Sequence, residues 1–207
     1  MTRIFQILLF IGLAFWGCES SQKKKINFLL DYEPINDDGS INAVVEISSG
    51  TLEKYELNKI DGTIELELIN NKPRIINYLG YPANYGLIPK TLLAKKNGGD
   101  GDPLDVIVIG PPEHRNSVVK CKVIGVLYLL DKLEQDDKLI AVSSNSTIKN
   151  INNIDELEEK YSGILEILEI WFTNYKGSGE VISKGFGDKK SALRILMNSI
   201  DQFANNQ

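Results

Sequence analysis

The chain is predicted to be an α+β protein in which a small closed β-barrel is flanked by C-terminal helices. Three observations predict this. Strand-type segments come first and helix-type periodicity comes late, a segregation that belongs to α+β rather than to alternating α/β architecture. The β-branched run over residues 118–130 is long for one ordinary strand and reads as a bent strand shared across a closed barrel. About 190 residues follow an apolar N-terminal run, enough for one domain with a sizeable core.

Strand signals, rich in β-branched and aromatic residues, fall at 41–47, 54–57, 63–69, 105–109, 118–130 and 138–142. Helical spacing marks 154–160, 163–175 and 189–203. In the second of these, Ile164, Ile167, Leu168, Trp171 and Phe172 recur at helical intervals and are expected to pack on the barrel. There are no internal repeats and no low-complexity tracts.

Residues 4–16 form a nearly uninterrupted apolar run after a single positive charge, Arg3, and the run ends at Gly17-Cys18. That length suits the hydrophobic region of a signal peptide and falls short of a membrane span. A glycine just before a cysteine at the end of such a run resembles a bacterial lipoprotein signal, which implies cleavage before Cys18 and a lipid on it. The expected organisation is a signal peptide at 1–17, a lipid-anchored tether at 18–39 and a globular domain at 40–207. The protein would then be exported and held on the periplasmic side of a membrane, with a cytoplasmic location as the alternative. Within the tether, 26–30 is a short apolar island, and Lys23-Lys24-Lys25 is a solvated charge run.

The net charge is −5, and loss of a leader carrying Arg3 makes the protein more acidic still, which argues against nucleic acid as a partner. Cys121 is the only cysteine besides Cys18, so the domain has no intramolecular disulfide to rely on.

The most informative segment is Asp100-Gly101-Asp102-Pro103-Leu104-Asp105, followed by the apolar strand at 105–109. Three carboxylates within six positions repel one another, and such a cluster tolerates its charge when cations sit in it. In an extended chain Asp100 and Asp102 project to one side, Gly101 permits a bend, and Pro103 excludes a helix. Hard oxygen donors suit Mg²⁺ or Mn²⁺ rather than zinc. Taken alone the cluster reads as a solvated acidic turn. An EF-hand fails on spacing: counted from Asp100, its glycine position is Asp105 and its closing glutamate position is Pro111.

The cluster keeps specific company. Ahead of it lies Tyr81-Pro82-Ala83-Asn84-Tyr85-Gly86; further upstream come Glu46, Glu53-Lys54-Tyr55-Glu56 and Arg74; downstream follow Asp131, Asp136, Lys138 and Tyr175-Lys176. In this order and spacing, from about residue 43 to about 190, the chain resembles the soluble (family I) inorganic pyrophosphatases. The resemblance implies a five-stranded OB-like barrel with its site at the barrel mouth, hydrolysis of inorganic diphosphate and several Mg²⁺ ions per site. It also allows a homo-oligomer, since bacterial members commonly form hexamers and others dimers, but one sequence does not locate its interface. The domain at 40–207 would be the pyrophosphatase domain.

The chemistry of the residues agrees. Diphosphate carries three to four negative charges, so its site must combine divalent cations with lysines and arginines. Asp100, Asp105, Asp131 and Asp136 are the candidate metal ligands. Lys54, Arg74 and Lys176 are candidate phosphate clamps, with Arg74 the natural bidentate donor. Tyr85 and Tyr175 can donate hydroxyl hydrogen bonds, and Lys138 adds to the cationic side. Glu46 and Glu56 would tune the cations or their waters. The resemblance assigns the general base to Asp102.

Two departures from the bacterial pattern are visible. Lys132 follows Asp131 where bacterial members commonly carry glutamate, and the stretch from Arg74 to Tyr81 is one residue shorter. Neither removes a core ligand. A non-catalytic phosphate- or metal-binding lipoprotein that keeps the fold is the rival reading. His114, the only histidine, lies in a Pro-Pro-Glu-His-Arg-Asn turn and is assigned no role.

Overall fold

The computed structural model describes residues 25–132 and 134–206. The expected signal peptide at 1–17, Cys18 and the triple lysine up to Lys24 lie outside the described residues. Among the described residues, no helix is long and apolar enough to cross a membrane.

The strands are β1 (Ile41–Ile47), β2 (Tyr55–Leu57), β3 (Ile64–Leu66), β4 (Leu68–Ile69), β5 (Lys72–Pro73), β6 (Asn84–Leu87), β7 (Asp105–Ile109), β8 (Val118–Asp131), β9 (Glu134–Gln135), β10 (Lys138–Ser143) and β11 (Val181–Asp188). The helices are α1 (Ile154–Lys160), α2 (Ile164–Asn174) and α3 (Lys189–Ala204). The fold is a mixed α+β arrangement, as expected, with the helices late in the chain but with one strand, β11, between α2 and α3.

Strand pairing runs β1–β6–β7–β10–β8, and β8 pairs back onto β1, so the five pairings form a ring. All are antiparallel except β7 with β10, which run parallel. The long β8 serves β1 through its first residues and β10 and β11 through the rest.

Alternation along these strands splits the core in two. Val106, Val108, Leu139 and Ala141 join Ala192 and Leu196 of α3 on one side. Ile107 and Ile140 join Leu168, Trp171 and Phe172 of α2 on the other. On α2 the buried residues are Leu165, Leu168, Trp171 and Phe172, whereas Ile167 is 59% exposed. The stripe therefore runs through Leu165 rather than Ile167, because positions 165, 168 and 172 share one face and 167 lies off it.

Four strands were not expected: the two-residue β5 and β9, and the longer β6 and β11. β6 lies in the Asn84-Tyr85-Gly86 stretch, where a glycine interrupts any strand pattern. Its glycine is required by proximity: a Cβ at Gly86 would collide with the Val44 carbonyl of the neighbouring β1. β11 contains Gly185 and Gly187, and the Tyr128 ring lies where a Gly187 Cβ would stand. The segment expected at 63–69 breaks into β3 and β4 around Glu67.

The described part of the expected tether is packed rather than free. Phe28 is buried against Val44, Leu57 and Leu87, and its N–H donates to the Gly62 carbonyl at 2.7 Å. The apolar island at 26–30 thus contributes to the globular domain, and packed chain is present before residue 40.

Candidate active site

Strand ends converge on a cleft of about 390 Å³. Asp105 opens β7, Lys138 opens β10 directly opposite it, and Asp131 closes β8. Every residue singled out from the sequence for site chemistry lines this one cleft: Glu46, Lys54, Glu56, Arg74, Tyr85, Asp100, Asp102, Asp105, Asp131, Asp136, Lys138, Tyr175 and Lys176.

The aspartate loop is a turn, not the extended segment the alternation argument assumed. Gly101 takes φ +84°, and Asp100 Oδ1 accepts a hydrogen bond from the Asp102 N–H at 2.8 Å. The loop is fastened from behind. Leu93 N–H donates to the Asp102 carbonyl and Gly101 N–H to the Leu93 carbonyl, each at 2.8 Å. Leu104 N–H donates to Thr91 Oγ1 at 2.9 Å. Burial raises the Asp100 carboxyl to about 6, with the Asp102, Asp105 and Asp136 carboxylates adding to the rise against the Asp102 N–H.

At the floor, the buried Lys138 ammonium donates to Asp105 Oδ2 (2.7 Å), Asp136 Oδ1 (2.9 Å) and Tyr85 Oη (3.0 Å). Its three hydrogens are all used. Burial alone would lower its pKa, but Asp105 and Asp136 overcome this and hold it well above the usual lysine range. Lys138 is therefore the counter-ion of two carboxylates here rather than a free phosphate donor. Burial raises Asp136, and Lys138 opposes that rise. Tyr85 hydroxyl also donates to Asp105 Oδ2.

On the next wall, Lys176 pairs with Asp131 Oδ2, while Asp131 Oδ1 is buried without a hydrogen-bond partner among the described residues. Tyr175 caps α2 and stacks on Trp171, centroids 4.6 Å apart and planes within 10°. Trp171 is itself pinned by donating Nε1–H to the Leu79 carbonyl at 2.9 Å. The helix thus fixes the Tyr175-Lys176 pair at the cleft edge. Glu46 is buried, and desolvation pushes its carboxyl up to about 8 against the pull of Lys54. Burial also raises Glu56.

Asn84, in the Tyr-Pro-Ala-Asn-Tyr-Gly motif, has a structural task. Its Oδ1 accepts from Ser49 and Glu113 N–H, and its Nδ2 donates to the Pro111 carbonyl at 2.8 Å, tying the loops after β1 and β7 to β6 behind Tyr85. Sequence reasoning missed three charged lining residues. Lys59 pairs with Asp102 and donates to the Gly101 carbonyl at 3.0 Å. Glu67 grips Arg74, and Glu134 sits near Asp131 in the β8–β9 pairing. Lys59 and Glu67 lie close to Lys54 and Arg74 in sequence, but nothing in their own pattern marks them. Lys132 is exposed and does not line the cleft.

Among the described residues, no three acidic or imidazole groups converge tightly enough to define a metal site alone. The donor set nevertheless fits a hard divalent cation. It is all carboxylate oxygen, and the orphaned Asp131 Oδ1 is an acceptor aimed at nothing else.

Comparisons with known proteins point to one family. A family model for inorganic pyrophosphatase matches residues 43–204. An inorganic pyrophosphatase of Xylella fastidiosa is 33% identical over 168 residues, covering 79% of this chain and 89% of that relative. The solved inorganic pyrophosphatase of Helicobacter pylori superposes with TM-score 0.71 at 33% identity, covering 84% of this chain and 99% of that one. A type I inorganic pyrophosphatase from P falciparum superposes with TM-score 0.80 at 28% identity, covering 87% of this chain but 63% of that longer one. With the motifs of the sequence gathered into one cleft and these likenesses running through most of its length, the chain belongs to the inorganic pyrophosphatase family.

Proposed function

We propose that this chain hydrolyses inorganic diphosphate to two phosphates, with Asp102 as general base. The observation that supports it is the convergence of all the sequence-picked residues on one cleft. Asp100, Asp105, Asp131 and Asp136 would hold Mg²⁺, with Mn²⁺ as a substitute. Bound there, such ions lower the pKa of a water and offset phosphate charge.

The chain's own residues do the rest. Asp102, its side chain 49% exposed at the cleft, takes a proton from the attacking water onto its carboxylate. The water oxygen bonds to one phosphorus as that phosphorus loses its bridging oxygen, which leaves on the second phosphate. Lys54, Arg74 and Lys176 hold the phosphates and offset the charge gathering on the leaving one. Tyr85 and Tyr175 orient the carboxylates and phosphate oxygens by their hydroxyls. Lys138 holds Asp105 and Asp136 in place by its hydrogen bonds, and Glu46 and Glu56 tune the field around them.

We read the ring of five pairings as the closed OB-like barrel of the family, with the cleft at its mouth. Lipidation of Cys18, export and homo-oligomerisation are further proposals resting on the sequence. An N-terminal peptide beginning at Met1, recovered from a cytosolic fraction, would contradict export. The non-catalytic reading is not favoured, because each core carboxylate and clamp is present at the cleft. Phosphate release from Mg-diphosphate by the full-length protein, compared with tripolyphosphate and ATP, tests the function. Turnover of diphosphate above both others is expected, and release from none would contradict it.

A further inference from the structure

We propose that Glu67 is a positioning residue for the substrate-binding edge of Arg74, an inference that rests on the diphosphatase reading. β4 and β5 form a hairpin in which Ile69 faces Lys72 and Leu68 faces Pro73. Its two-residue turn, Asn70-Asn71, has φ +53° and +61°, the left-handed pair that a tight hairpin of this twist requires. One step beyond the Leu68–Pro73 pair, the register brings Glu67 opposite Arg74, whose N–H donates to the Glu67 carbonyl at 2.8 Å.

The side chains then meet. Arg74 Nη1 donates to Glu67 Oε1 at 2.9 Å and to Oε2 at 2.8 Å, with both side chains mostly shielded from solvent. Only Nη1 is engaged. The Nε–Nη2 edge makes no hydrogen bond to the described residues, and that edge is the one able to grip two phosphate oxygens side by side. A carboxylate lining a site for a tri- to tetra-anion would oppose binding unless its charge were spent on a cation, and here it is.

Glu67 also links the two clamps through the backbone. Its N–H donates to the Lys54 carbonyl at 2.9 Å, and Lys54 N–H donates to the Arg74 carbonyl at 3.0 Å. With the Arg74-to-Glu67 bond, three residues close a loop of main-chain hydrogen bonds. The hairpin thus presents Lys54 and Arg74 as one unit, and the Glu67 carboxylate fixes the rotation of the guanidinium within it.

The test uses the full-length protein, Glu67→Ala, Glu67→Gln, Arg74→Ala and the Glu67→Ala/Arg74→Ala pair. Phosphate release from Mg-diphosphate is measured alongside calorimetric affinity for imidodiphosphate, which is not turned over. Glu67→Ala is expected to raise KM and the imidodiphosphate Kd about tenfold with little change in kcat, the size of one charge-assisted hydrogen bond. Glu67→Gln, which keeps one acceptor, should lose less. In the Arg74→Ala background, Glu67→Ala should cost nothing further. An affinity within about twofold of wild type for Glu67→Ala, or an equal loss in both backgrounds, would overturn the proposal. If Glu67→Ala does not fold, Glu67→Gln carries the same comparison against Arg74→Ala. If the wild-type protein releases no phosphate, the diphosphatase reading fails, while the imidodiphosphate affinities still decide the role of Glu67.

Discussion

At the floor of the cleft, Lys138 is 3% exposed between Asp105 and Asp136, on strand ends whose register is set by pairing along β7 and β10. At the rim, Lys59 and Asp102 pair with about half of each side chain in solvent, 54% and 49%, on loops outside the ring of strands. The floor is a desolvated charge network held by the fold, and the rim pair is a contact between solvated side chains. Charges that must stay fixed sit on central strands; the group that must accept a proton sits where water reaches it.

The largest effect expected from breaking this contrast is at the floor. Lys138→Ala leaves two carboxylates facing each other without their cation. Loss of one partner from a buried pair costs about 3–5 kcal/mol, so unfolding in urea with EDTA should show a drop of that order. Added Mg²⁺ should restore part of it, since the vacated charge is one a divalent ion can supply. A loss under about 1 kcal/mol would mean that the floor is no more ordered than the rim.

A smaller effect sharpens the same contrast through pH. Burial raises Glu46 to about 8, well above its ordinary value of 4.5, so the folded state binds a proton there that the unfolded chain releases. The stability it contributes is fully present below about pH 4.5 and is lost as pH rises through about 8. In metal-free buffer, Glu46→Gln should flatten the decline of unfolding free energy across that window, by on the order of a few kcal/mol at the alkaline end. An unchanged slope would place Glu46 in a solvated environment. Smallest of all is the rim pair: Lys59→Met should change stability by less than about 1 kcal/mol, with the difference shrinking in high salt.

The same division explains what was legible in the sequence. β1, β7 and β8 announce themselves because their β-branched apolar runs are the core itself, and Asp105 is found because it opens such a strand. Every floor residue was identifiable, since Asp105, Asp136 and Lys138 belong to motifs of fixed spacing. The rim was only half legible. Lys59 sits in the connection between β2 and β3, and Glu67 precedes a hairpin set by the turn at Asn70-Asn71 and by its backbone bond to Lys54, none of which leaves a periodic trace. β6 was missed because Gly86 is dictated by a neighbouring carbonyl, a tertiary fact that locally only interrupts a strand pattern. Phe28 and its neighbours were read as tether because a short apolar island does not reveal that Val44, Leu57 and Leu87 wait to receive it.

The central claim is that the exposed rim carboxylate performs the proton transfer while the buried floor only holds charge. Turnover of Mg-diphosphate by Asp102→Asn, set against the wild-type protein at saturating Mg²⁺, tests this most directly. The account predicts a fall in kcat of about two to four orders of magnitude, the range for loss of a general base, with the fold intact. Turnover within a few-fold of wild type would contradict it.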